Sequence, residues 1–297
     1  MAVEFNNHAT CAWIAHHYGW FEDEGLNLTC FEAYVTGTAL ASAVARGDIQ
    51  AAYMCLGPAL LLYSRGVPIK IVAGLHLYGF AIVAKPEIVS ITDLDGKVVG
   101  VVAEGSQADL LLRFTVDKYN LKNVDIRRMN PPMALTALIA GKIDAACIPE
   151  FFATLAEVQG FHMVARSQDL WPNMQGSVLV VKEDLIKEHP EVVKKLVSLV
   201  VRGTNFIHDQ PDLAASVLTD ELKGAKVLGV SQEVLDILGS QMELVTADLL
   251  KRSMNNLEYS YEIDINVVQN CIDFMAKLEY VEQFNASDIL DLSFLWG

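Results

Sequence analysis

Apolar residues recur along the chain with two spacings, one typical of helices and one typical of short buried strands. Ala39–Met54 contains an alanine- and leucine-rich run of helical period, then Gly47, then a short apolar strand. A glycine suits the end of a helix, where the backbone often turns left-handed. Met133–Ile148 repeats this unit around Gly141, 94 residues later. The repetition predicts two similar α/β lobes, with chance similarity between two alanine-rich units as the alternative.

Strand patterns alternate with helix patterns over the earlier part of the chain. Strands are predicted at Val3–Phe5, Leu26–Phe31, Ala51–Met54, Ile69–Ala73, Gly79–Ala84, Lys97–Val102, Val124–Met129, the second repeat strand up to Ile148, Phe161–Ala165 and Ser177–Val181. From Glu183 onward helical periods dominate, with breaks at His189-Pro190, Gln210-Pro211 and Gly224–Gly229. Such alternation predicts an α/β fold with mostly parallel sheets.

The late helical part has too few predicted strands for a third sheet, so we expect it to pack against an existing lobe. The expected plan is lobe I from residues 1–83 and 180–297, and lobe II from residues 84–179. Two chain crossings, near residues 84 and 179, would then form a hinge between the lobes.

Composition and charge exclude some classes of function. With 297 residues and 52% hydrophobic content, the chain can fill one large core or two ordinary ones. A net charge of −15 argues against nucleic acid as a partner, because phosphate binding needs clustered Lys and Arg. Apolar runs fall short of the roughly 20 residues that span a bilayer. The first residues read as a strand, so we expect either a cytoplasmic protein or one whose targeting segment has been removed.

The cysteines and the paired histidines do not predict a metal site. No C-x-x-C pair occurs, and the cysteines, expected to be small buried hydrophobes, are scattered at Cys11, Cys30, Cys55, Cys147 and Cys271. His16, His17 and Cys11 share a predicted helix, but adjacent helical residues point about 100° apart. We therefore expect neither a metal nor another cofactor.

Six loops that join a strand to the next helix carry small or polar residues. They are Asn7-His8, Thr36-Gly37-Thr38, Cys55-Leu56-Gly57, Gly105-Ser106-Gln107, Asn130-Pro131-Pro132 and Pro149-Glu150. Any one of them is most simply a helix cap. Ligands of parallel sheets, however, bind outside the carboxyl ends of the strands, where free amides at helix starts can hold polar atoms. Six such loops, split evenly between two lobes, predict a ligand cleft that closes about a hinge.

The residue types in these loops bear on the kind of ligand. His8 follows a strand, and Glu150 begins a helix, where its carboxylate either complements the helix dipole or accepts an N–H from a ligand. The six loops contain no Lys or Arg, which sites for small anions usually recruit. Aromatic residues close to the loops in sequence could stack on a planar ligand or pack in the core: Trp13, Tyr34, Tyr53, Phe151 and Trp171. For Trp13 and Tyr53 we favour packing in the core. This combination favours a planar nitrogenous ligand over a simple anion.

Familiar catalytic motifs are absent from the sequence. It contains no G-x-S-x-G elbow, no Walker loop and no H-E-x-x-H zinc motif. An enzyme built on this chain would have to use His8 or Glu150 as its base. We therefore expect a non-enzymatic binding protein.

The order of the motifs resembles the substrate-binding proteins of ABC importers for nitrate, sulfonate, taurine and thiamine-pyrimidine precursors. The resembling segments are NHATCAWIAHHYGWFEDEGLNLT at 7–29, VTGTALASAVARGDIQAAYM at 35–54, DLDGKVVGVVAEGSQAD at 93–109, ALIAGKIDAACIPEFFA at 137–153 and YVEQFNASDILDLSFL at 280–295. The resemblance implies a two-lobe type II periplasmic binding protein fold with the ligand between the lobes. It also implies an ABC permease as partner, a periplasmic or membrane-anchored extracytoplasmic location, and a monomer.

The resemblance also implies which residues bind the ligand. Positions that match the family's binding loops are Asn7, His8, Thr36, Gly37, Thr38, Gly57, Ser106, Gln107 and Glu150. Trp171 joins them as an aromatic candidate from its place in the sequence. One branch of the family makes the thiamine pyrimidine and carries a CCCFC motif, which this sequence lacks. The favoured function is therefore capture of a nitrogenous heterocycle, such as a thiamine-pyrimidine precursor. The alternatives are a receptor for sulfonate, nitrate or bicarbonate, an enzyme acting on a pyrimidine or cofactor precursor, and a ligand-sensing module.

Overall fold

The protein, seen in a computed structural model that describes residues 1–296, contains two mixed β-sheets flanked by helices. The strands are β1 (Ala2–Glu4), β2 (Glu32–Tyr34), β3 (Ala51–Cys55), β4 (Ile69–Tyr78), β5 (Phe80–Ala84), β6 (Val98–Val101), β7 (Asp125–Arg128), β8 (Ala145–Pro149), β9 (His162–Arg166), β10 (Gln175–Lys182), β11 (Val227–Leu228) and β12 (Leu257–Tyr259). One sheet has the order β11-β2-β1-β3-β10-β4-β12, and the other has the order β7-β6-β8-β5-β9.

Helices connect the strands and make up most of the chain after β10. They are α1 (Thr10–His17), α2 (Trp20–Asp23), α3 (Gly37–Arg46), α4 (Leu56–Ser64), α5 (Gln107–Lys118), α6 (Pro131–Ile139), α7 (Glu150–Glu157), α8 (Ser167–Leu170), α9 (Glu183–Glu188), α10 (Pro190–Asp209), α11 (Pro211–Gly224), α12 (Gln232–Met242), α13 (Ala247–Met254), α14 (Ile265–Lys277) and α15 (Ala286–Ile289). Ile91–Leu94 and Leu292–Leu295 form 3-10 helices. Every helix within residues 1–296 is too short or too polar to cross a membrane.

The two sheets share one topology, which agrees with the repeat found in the sequence. The order β2-β1-β3-β10-β4 in the larger sheet matches β7-β6-β8-β5-β9 in the smaller one. The repeated units are α3 with β3 and α6 with β8. Left-handed Gly47 (φ 88°) caps α3, and left-handed Gly141 (φ 67°) follows Ala140, the C-cap of α6. Both β3 and β8 are buried along their whole length. The small side chains of these strands allow helices to pack closely on the sheets.

The sheets are mixed rather than mostly parallel, although the predicted α/β class is confirmed. Strand β10 pairs antiparallel with β3 and β4, and β5 pairs antiparallel with β8 and β9. These central strands enter each sheet from the other sheet, so their direction depends on the crossings and not on a βαβ connection.

The chain passes between the sheets at two places. The first is Gly79, between β4 and β5, where the backbone takes a left-handed turn with φ of 84°. The second lies between Arg166, which ends β9, and Gln175, which begins β10. The predicted boundaries near residues 84 and 179 therefore fall inside strands: β5 belongs to the five-stranded sheet, and all of β10 belongs to the seven-stranded sheet. The division into lobes itself stays a prediction.

Two further expectations have different outcomes. The predicted strand Leu26–Phe31 is wrong: the strand lies later, at β2, and Leu26 is buried in the core from an irregular segment. The late helices break where predicted, since α10 begins at Pro190 and α11 begins at Pro211. Strands β11 and β12 extend the seven-stranded sheet, while α12 and α13 pack against α6 and α7. The late helical part therefore touches the layers of both sheets.

Candidate functional site

A small cavity lies where the strand-to-helix loops of the two sheets meet. It has a volume of about 20 Å³, enough for about one water molecule. It is lined by Glu4, Val35, Thr36, Gly37, Cys55, Pro58, Phe80, Val102, Ser106, Gln107, Ala108, Pro131 and Pro149. None of these lining residues is a lysine or an arginine. The cleft between the two sheets is therefore almost closed in this structure.

Four of the predicted site residues line this cavity. Thr36 and Ser106 cap helices α3 and α5 by accepting hydrogen bonds from the backbone N–H groups of residues 39 and 109. Gly37 leaves space for a carboxylate, because a Cβ there would lie 2.5 Å from Oε1 of Glu4. Gln107 is the fourth. The caps place two helix N-termini, with their free amides, at the cavity from opposite sides.

Gln107 joins the two sides of the cleft. Its Oε1 accepts a hydrogen bond of 2.8 Å from the backbone N–H of Gly57, and its Nε2 donates one of 2.8 Å to the carbonyl of Gln175. Gly57 allows this close approach, because a Cβ there would lie 2.5 Å from the carbonyl oxygen of Gly105. Gly57, predicted to be a ligand contact, thus forms part of the closure between α4 and α5.

Glu4 is a cavity residue that sequence reasoning missed. It ends strand β1, is buried, and accepts hydrogen bonds from the backbone N–H of Cys55 (2.6 Å) and from the Cys55 thiol (3.1 Å). Burial raises the pKa of Glu4, and the hydrogen bonds from Cys55 and Asn6 lower it by less. No lysine or arginine within residues 1–296 forms an ion pair with it. Its carboxylate can therefore accept a further donor.

His8 lies beside the cavity, completely buried. Its Nε2 is 2.9 Å from the carbonyl oxygen of Gly79, and its Nδ1 is 3.7 Å from Sγ of Cys55. The ring packs 4.5 Å from the ring of His76 and edge-on to Phe80 at 4.9 Å. Burial lowers the pKa of His8 to about 4, so the ring is neutral at pH 7. A neutral His8 can donate from one nitrogen and accept at the other.

Asn7 connects the first loop to the late helices. Its Nδ2 donates to Oγ of Ser253 in α13 at 3.0 Å, and its backbone carbonyl accepts the hydroxyl of Tyr259 at 2.8 Å. Its Oδ1 lacks a partner among the described residues. Asn7 is not one of the residues that line the cavity in this conformation, and its predicted contact with a ligand stays a prediction.

Glu150 lies away from the cavity, although Pro149 lines it. Its Oε1 accepts hydrogen bonds from Nε of Arg166 (3.1 Å) and from Nδ2 of Asn256 (2.9 Å). The second bond connects α7 to the segment after α13. Burial raises the pKa of Glu150 to about 7, although Arg166 and Thr154 act in the opposite direction. Protein donors thus occupy Oε1, whereas Oε2 of Glu150 is buried without a hydrogen-bond partner among the described residues.

Thr38 and Trp171 also lie outside the cavity. Thr38 hydrogen-bonds to the hydroxyl of Thr36 at 3.1 Å, and it lines an outer groove beside α4. Trp171 stacks on Phe114 at 4.5 Å and packs edge-on against Phe274 at 5.4 Å. These two aromatic neighbours belong to α5, which packs on the five-stranded sheet, and to α14 in the late part of the chain. Contacts of these two residues with a ligand stay predictions.

The signals for the missed cavity residues were weak. Glu4 is the only charged residue in the predicted first strand, and a carboxylate at the end of a buried strand is unusual enough to mark a site. Cys55 belongs to one of the six loops, but a scattered cysteine is expected to be a small buried hydrophobe. Phe80 begins a strand whose partner sheet could not be assigned from local patterns.

Two α/β halves that meet across a cleft at the ends of their strands define the fold of the periplasmic binding proteins, and comparison with solved structures confirms this class. The alkanesulfonate-binding protein SsuA from Xanthomonas axonopodis pv. citri, bound to MOPS, superposes with a TM-score of 0.80 at 14% identity, covering 98% of this chain and 97% of that one. The periplasmic nitrate-binding protein NrtA from Synechocystis PCC 6803 gives 0.80 at 13% identity, covering 99% and 86%. At such low identity these likenesses concern the fold.

The sequence profile of the NMT1-like family matches residues 2–219, and the chain belongs to this family. The taurine-binding periplasmic protein of Escherichia coli K12 is 25% identical over 237 residues, which cover 78% of this chain and 74% of that protein. A relative in Brucella abortus (strain 2308), named as a binding protein, is 28% identical over 217 residues, 71% of this chain and 66% of its own length. The chain thus spans just under two thirds of that relative. The family resemblance and the α/β periplasmic binding protein fold implied by the motifs are confirmed.

Proposed function

We propose that this protein is the solute-binding receptor of an ABC import system and that it captures a small nitrogen-rich heterocycle, such as a thiamine-pyrimidine precursor, between its two lobes. Family membership and relatives named for binding taurine, nitrate and alkanesulfonate support a receptor. The cavity at the strand ends of both sheets supports capture between the lobes.

The choice of solute class rests on the carboxylate of Glu4, which has no lysine or arginine partner in the cavity. Nitrate, a sulfonate or bicarbonate would bring a negative charge to a buried carboxyl group, whose own pKa burial raises, with no cavity lysine or arginine to stabilise that charge. An aminopyrimidine instead offers N–H donors to Glu4 and ring nitrogens to the amides at the starts of α3 and α5. The ring of Phe80 in the cavity wall suits a planar partner.

Capture requires the cleft to open, because the present cavity is smaller than any of these solutes. In the proposed cycle the hydrogen bonds of Gln107 to Gly57 and Gln175 break on opening and re-form, or are replaced by solute contacts, on closure. A solute favours the closed state only as far as it contacts both lobes. The residues of both sheets that line the cavity meet that condition.

The proposed partners follow from the same role. We expect a membrane permease that accepts the solute from the closed receptor, an extracytoplasmic location, periplasmic or anchored to a membrane, and a monomeric receptor. The charge of −15 is consistent with the expectation that nucleic acid is not a partner. We expect no catalysis, and incubation with a bound pyrimidine followed by product analysis distinguishes the receptor from an enzyme that uses His8 or Glu150 as base.

One observation favours a second candidate, a receptor for a sulfonate, nitrate or bicarbonate. The relatives are named for taurine, alkanesulfonate and nitrate, and the N-termini of α3 and α5 both face the cavity. Free amides at helix starts can hold an oxyanion without a cation.

The two candidates are separated by calorimetric titration of the protein and of Glu4→Gln with an aminopyrimidine, taurine, nitrate and bicarbonate. The heterocycle proposal expects the aminopyrimidine to bind and to lose at least about tenfold in affinity in the variant, since a hydrogen bond to a charged group contributes about 1.5–3 kcal/mol. Binding of an anion that improves in Glu4→Gln, with no aminopyrimidine binding to either protein, would establish the second candidate instead.

A further inference from the structure

Three buried side chains with metal-ligating atoms converge beneath the cavity, from two separate strand ends. Glu4 ends β1, His8 follows in the next loop, and Cys55 ends β3, which pairs with β1. Their ligand atoms all lie within 4.8 Å of one another. Sγ of Cys55 is 3.1 Å from Oε2 of Glu4 and 3.7 Å from Nδ1 of His8. Ligands of a tetrahedral Zn²⁺ ion, with bonds of about 2.0–2.3 Å, lie about 3.4–3.6 Å apart.

The hydrogen bond from His8 to Gly79 fixes which ring nitrogen is free. A carbonyl oxygen can only accept, so Nε2 of His8 carries the hydrogen that it shares with Gly79 at 2.9 Å. In the neutral ring Nδ1 then has a lone pair, and it is the nitrogen that faces Cys55. Metal-binding histidines are usually held in this way, with the second nitrogen donating to a carbonyl or carboxylate.

The charges of the cluster also match a divalent ion. No lysine or arginine within residues 1–296 pairs with the buried carboxylate of Glu4. A divalent cation held by one carboxylate, one thiolate and one neutral imidazole would form a cluster of zero net charge. Replacing the Cys55 thiol proton by the cation releases that proton to solvent, together with any proton on Glu4. Burial of the neutral cluster would then cost far less than burial of a lone charge.

We propose that Glu4, His8 and Cys55 form a binding site for one divalent metal ion of the Zn²⁺ class, with its fourth coordination position open to the cavity. A mixed sulfur, nitrogen and oxygen set suits Zn²⁺ better than the all-oxygen preference of Mg²⁺ or Ca²⁺. Glu4 and Cys55 both line the cavity, so the remaining position faces it and can take a water molecule or a lone pair of a solute. Three protein ligands with one open position is an arrangement known for zinc. Sequence spacing alone predicts no metal here, because residues 4 and 8 meet residue 55 only through the pairing of β1 with β3.

A nucleophilic thiol explains the same cluster less well. A thiolate–imidazolium pair is disfavoured because the Cys55 thiol donates to Oε2 of Glu4 at 3.1 Å, whereas Nδ1 of His8 is 3.7 Å from the sulfur. A metal ion displaces the thiol proton without requiring that pair. The inference goes beyond the receptor proposal. A bound cation would compensate the Glu4 carboxylate, so the choice of solute class argued from that residue applies to the metal-free protein.

The test is titration of the metal-stripped protein with Co²⁺ and, in competition, with Zn²⁺, in the absence of any organic solute. We expect one Co²⁺ per chain, intense visible bands typical of tetrahedral Co²⁺, a near-ultraviolet thiolate-to-cobalt band, and displacement by Zn²⁺. Cys55→Ser should abolish the thiolate band. The matched control Cys147→Ser, at another buried thiol, which contacts the carbonyl of Ala108, should retain it.

Glu4→Gln and His8→Gln keep the size of each side chain approximately and should weaken Co²⁺ binding by more than the about 10–100-fold that loss of a supporting contact costs. Circular dichroism of each metal-free variant shows whether it folds, and a Zn²⁺-dependent rise in Tm, seen in the wild type and absent in a folded Cys55→Ser, is the second readout. Absence of stoichiometric Co²⁺ binding, or a thiolate band that survives Cys55→Ser, would overturn the proposal. Because no solute is present, either result leaves the receptor proposal to its own test.

Discussion

The Nε2 atom of His8 lies 2.9 Å from the carbonyl oxygen of Gly79, the residue at which the chain leaves the seven-stranded sheet for the five-stranded one. The backbone N–H of Glu150 donates to the same oxygen at 2.9 Å. A loop after β1 and the start of α7 therefore hold the same crossing residue. The backbone of Gly79 is left-handed, with φ of 84°, and a Cβ there would lie 2.9 Å from Cε1 of His76 and 3.1 Å from Nε2 of His8, so a side chain would force the His76 ring to shift.

We predict that His8→Ala destabilises the protein by about 2–4 kcal/mol, because it removes a buried hydrogen bond and leaves a cavity where an aromatic ring packed. Urea unfolding followed by circular dichroism measures the free energy of unfolding. His189→Ala is the control: His189 is an exposed residue between α9 and α10, and its replacement should change stability by no more than about 0.5 kcal/mol. Equal losses in the two variants would contradict the structural role assigned to His8.

Gly57→Ala should hinder closure of the cleft. The added Cβ would lie 2.5 Å from the carbonyl oxygen of Gly105 and 3.0 Å from Oε1 of Gln107, both on the other side of the cleft. We expect a larger radius of gyration by solution scattering and little loss of stability, since alanine favours the helix that begins there. Gly239→Ala is the matched control, because a Cβ there meets nothing within 4 Å. A Gly57→Ala protein as compact as the control would refute this role.

The features of the fold that could be predicted from sequence are those set by local patterns. A helix, a left-handed glycine and a buried strand follow one another within about one supersecondary unit, so the duplicated units around Gly47 and Gly141 could be recognised. The starts of α10 and α11 at Pro190 and Pro211 were predictable for the same reason, since proline is favoured in a first helical turn.

The remaining features depend on contacts between distant parts of the chain. Whether β5 pairs with its sequence neighbour β4 or with β8 and β9 is decided by the crossing at Gly79, which no local pattern encodes. The cluster of Glu4, His8 and Cys55 likewise depends on strand pairing. Seven residues of the six predicted loops line the cavity, four of them predicted ligand contacts, because these loops all lie at strand ends. The direction of the Glu150 side chain depends instead on Arg166, which follows it by sixteen residues.

Gln107→Ala should loosen the closed state. Its amide bridges the N–H of Gly57 and the carbonyl of Gln175, and loss of the amide leaves two buried backbone groups unpaired, at about 1–3 kcal/mol each. We expect faster amide hydrogen exchange at the start of α4 and at β10, measured by mass spectrometry. Gln159→Ala removes an exposed amide that contacts only the carbonyl of Leu155 in its own turn, and should leave exchange at the cleft unchanged. Unchanged exchange in Gln107→Ala would exclude its bridging role.

Glu150 should make the stability of the protein depend on pH between about 4.5 and 7. Burial raises its folded-state pKa from 4.5 to about 7, so in this window the folded protein keeps a proton that the unfolded chain has released. The contribution is therefore fully present below pH 4.5 and is lost as the pH rises toward 7. The difference in unfolding free energy between the wild type and Glu150→Gln should fall across the window by up to about 1.4 kcal/mol per pH unit.

Urea unfolding at several pH values measures this difference, from which the contributions of His8 and His76, present in both proteins, cancel. Glu188→Gln, which removes an exposed carboxylate, serves as the control. A difference for Glu150→Gln that stayed flat or rose with pH would show that Arg166 outweighs burial and keeps the carboxylate ionised.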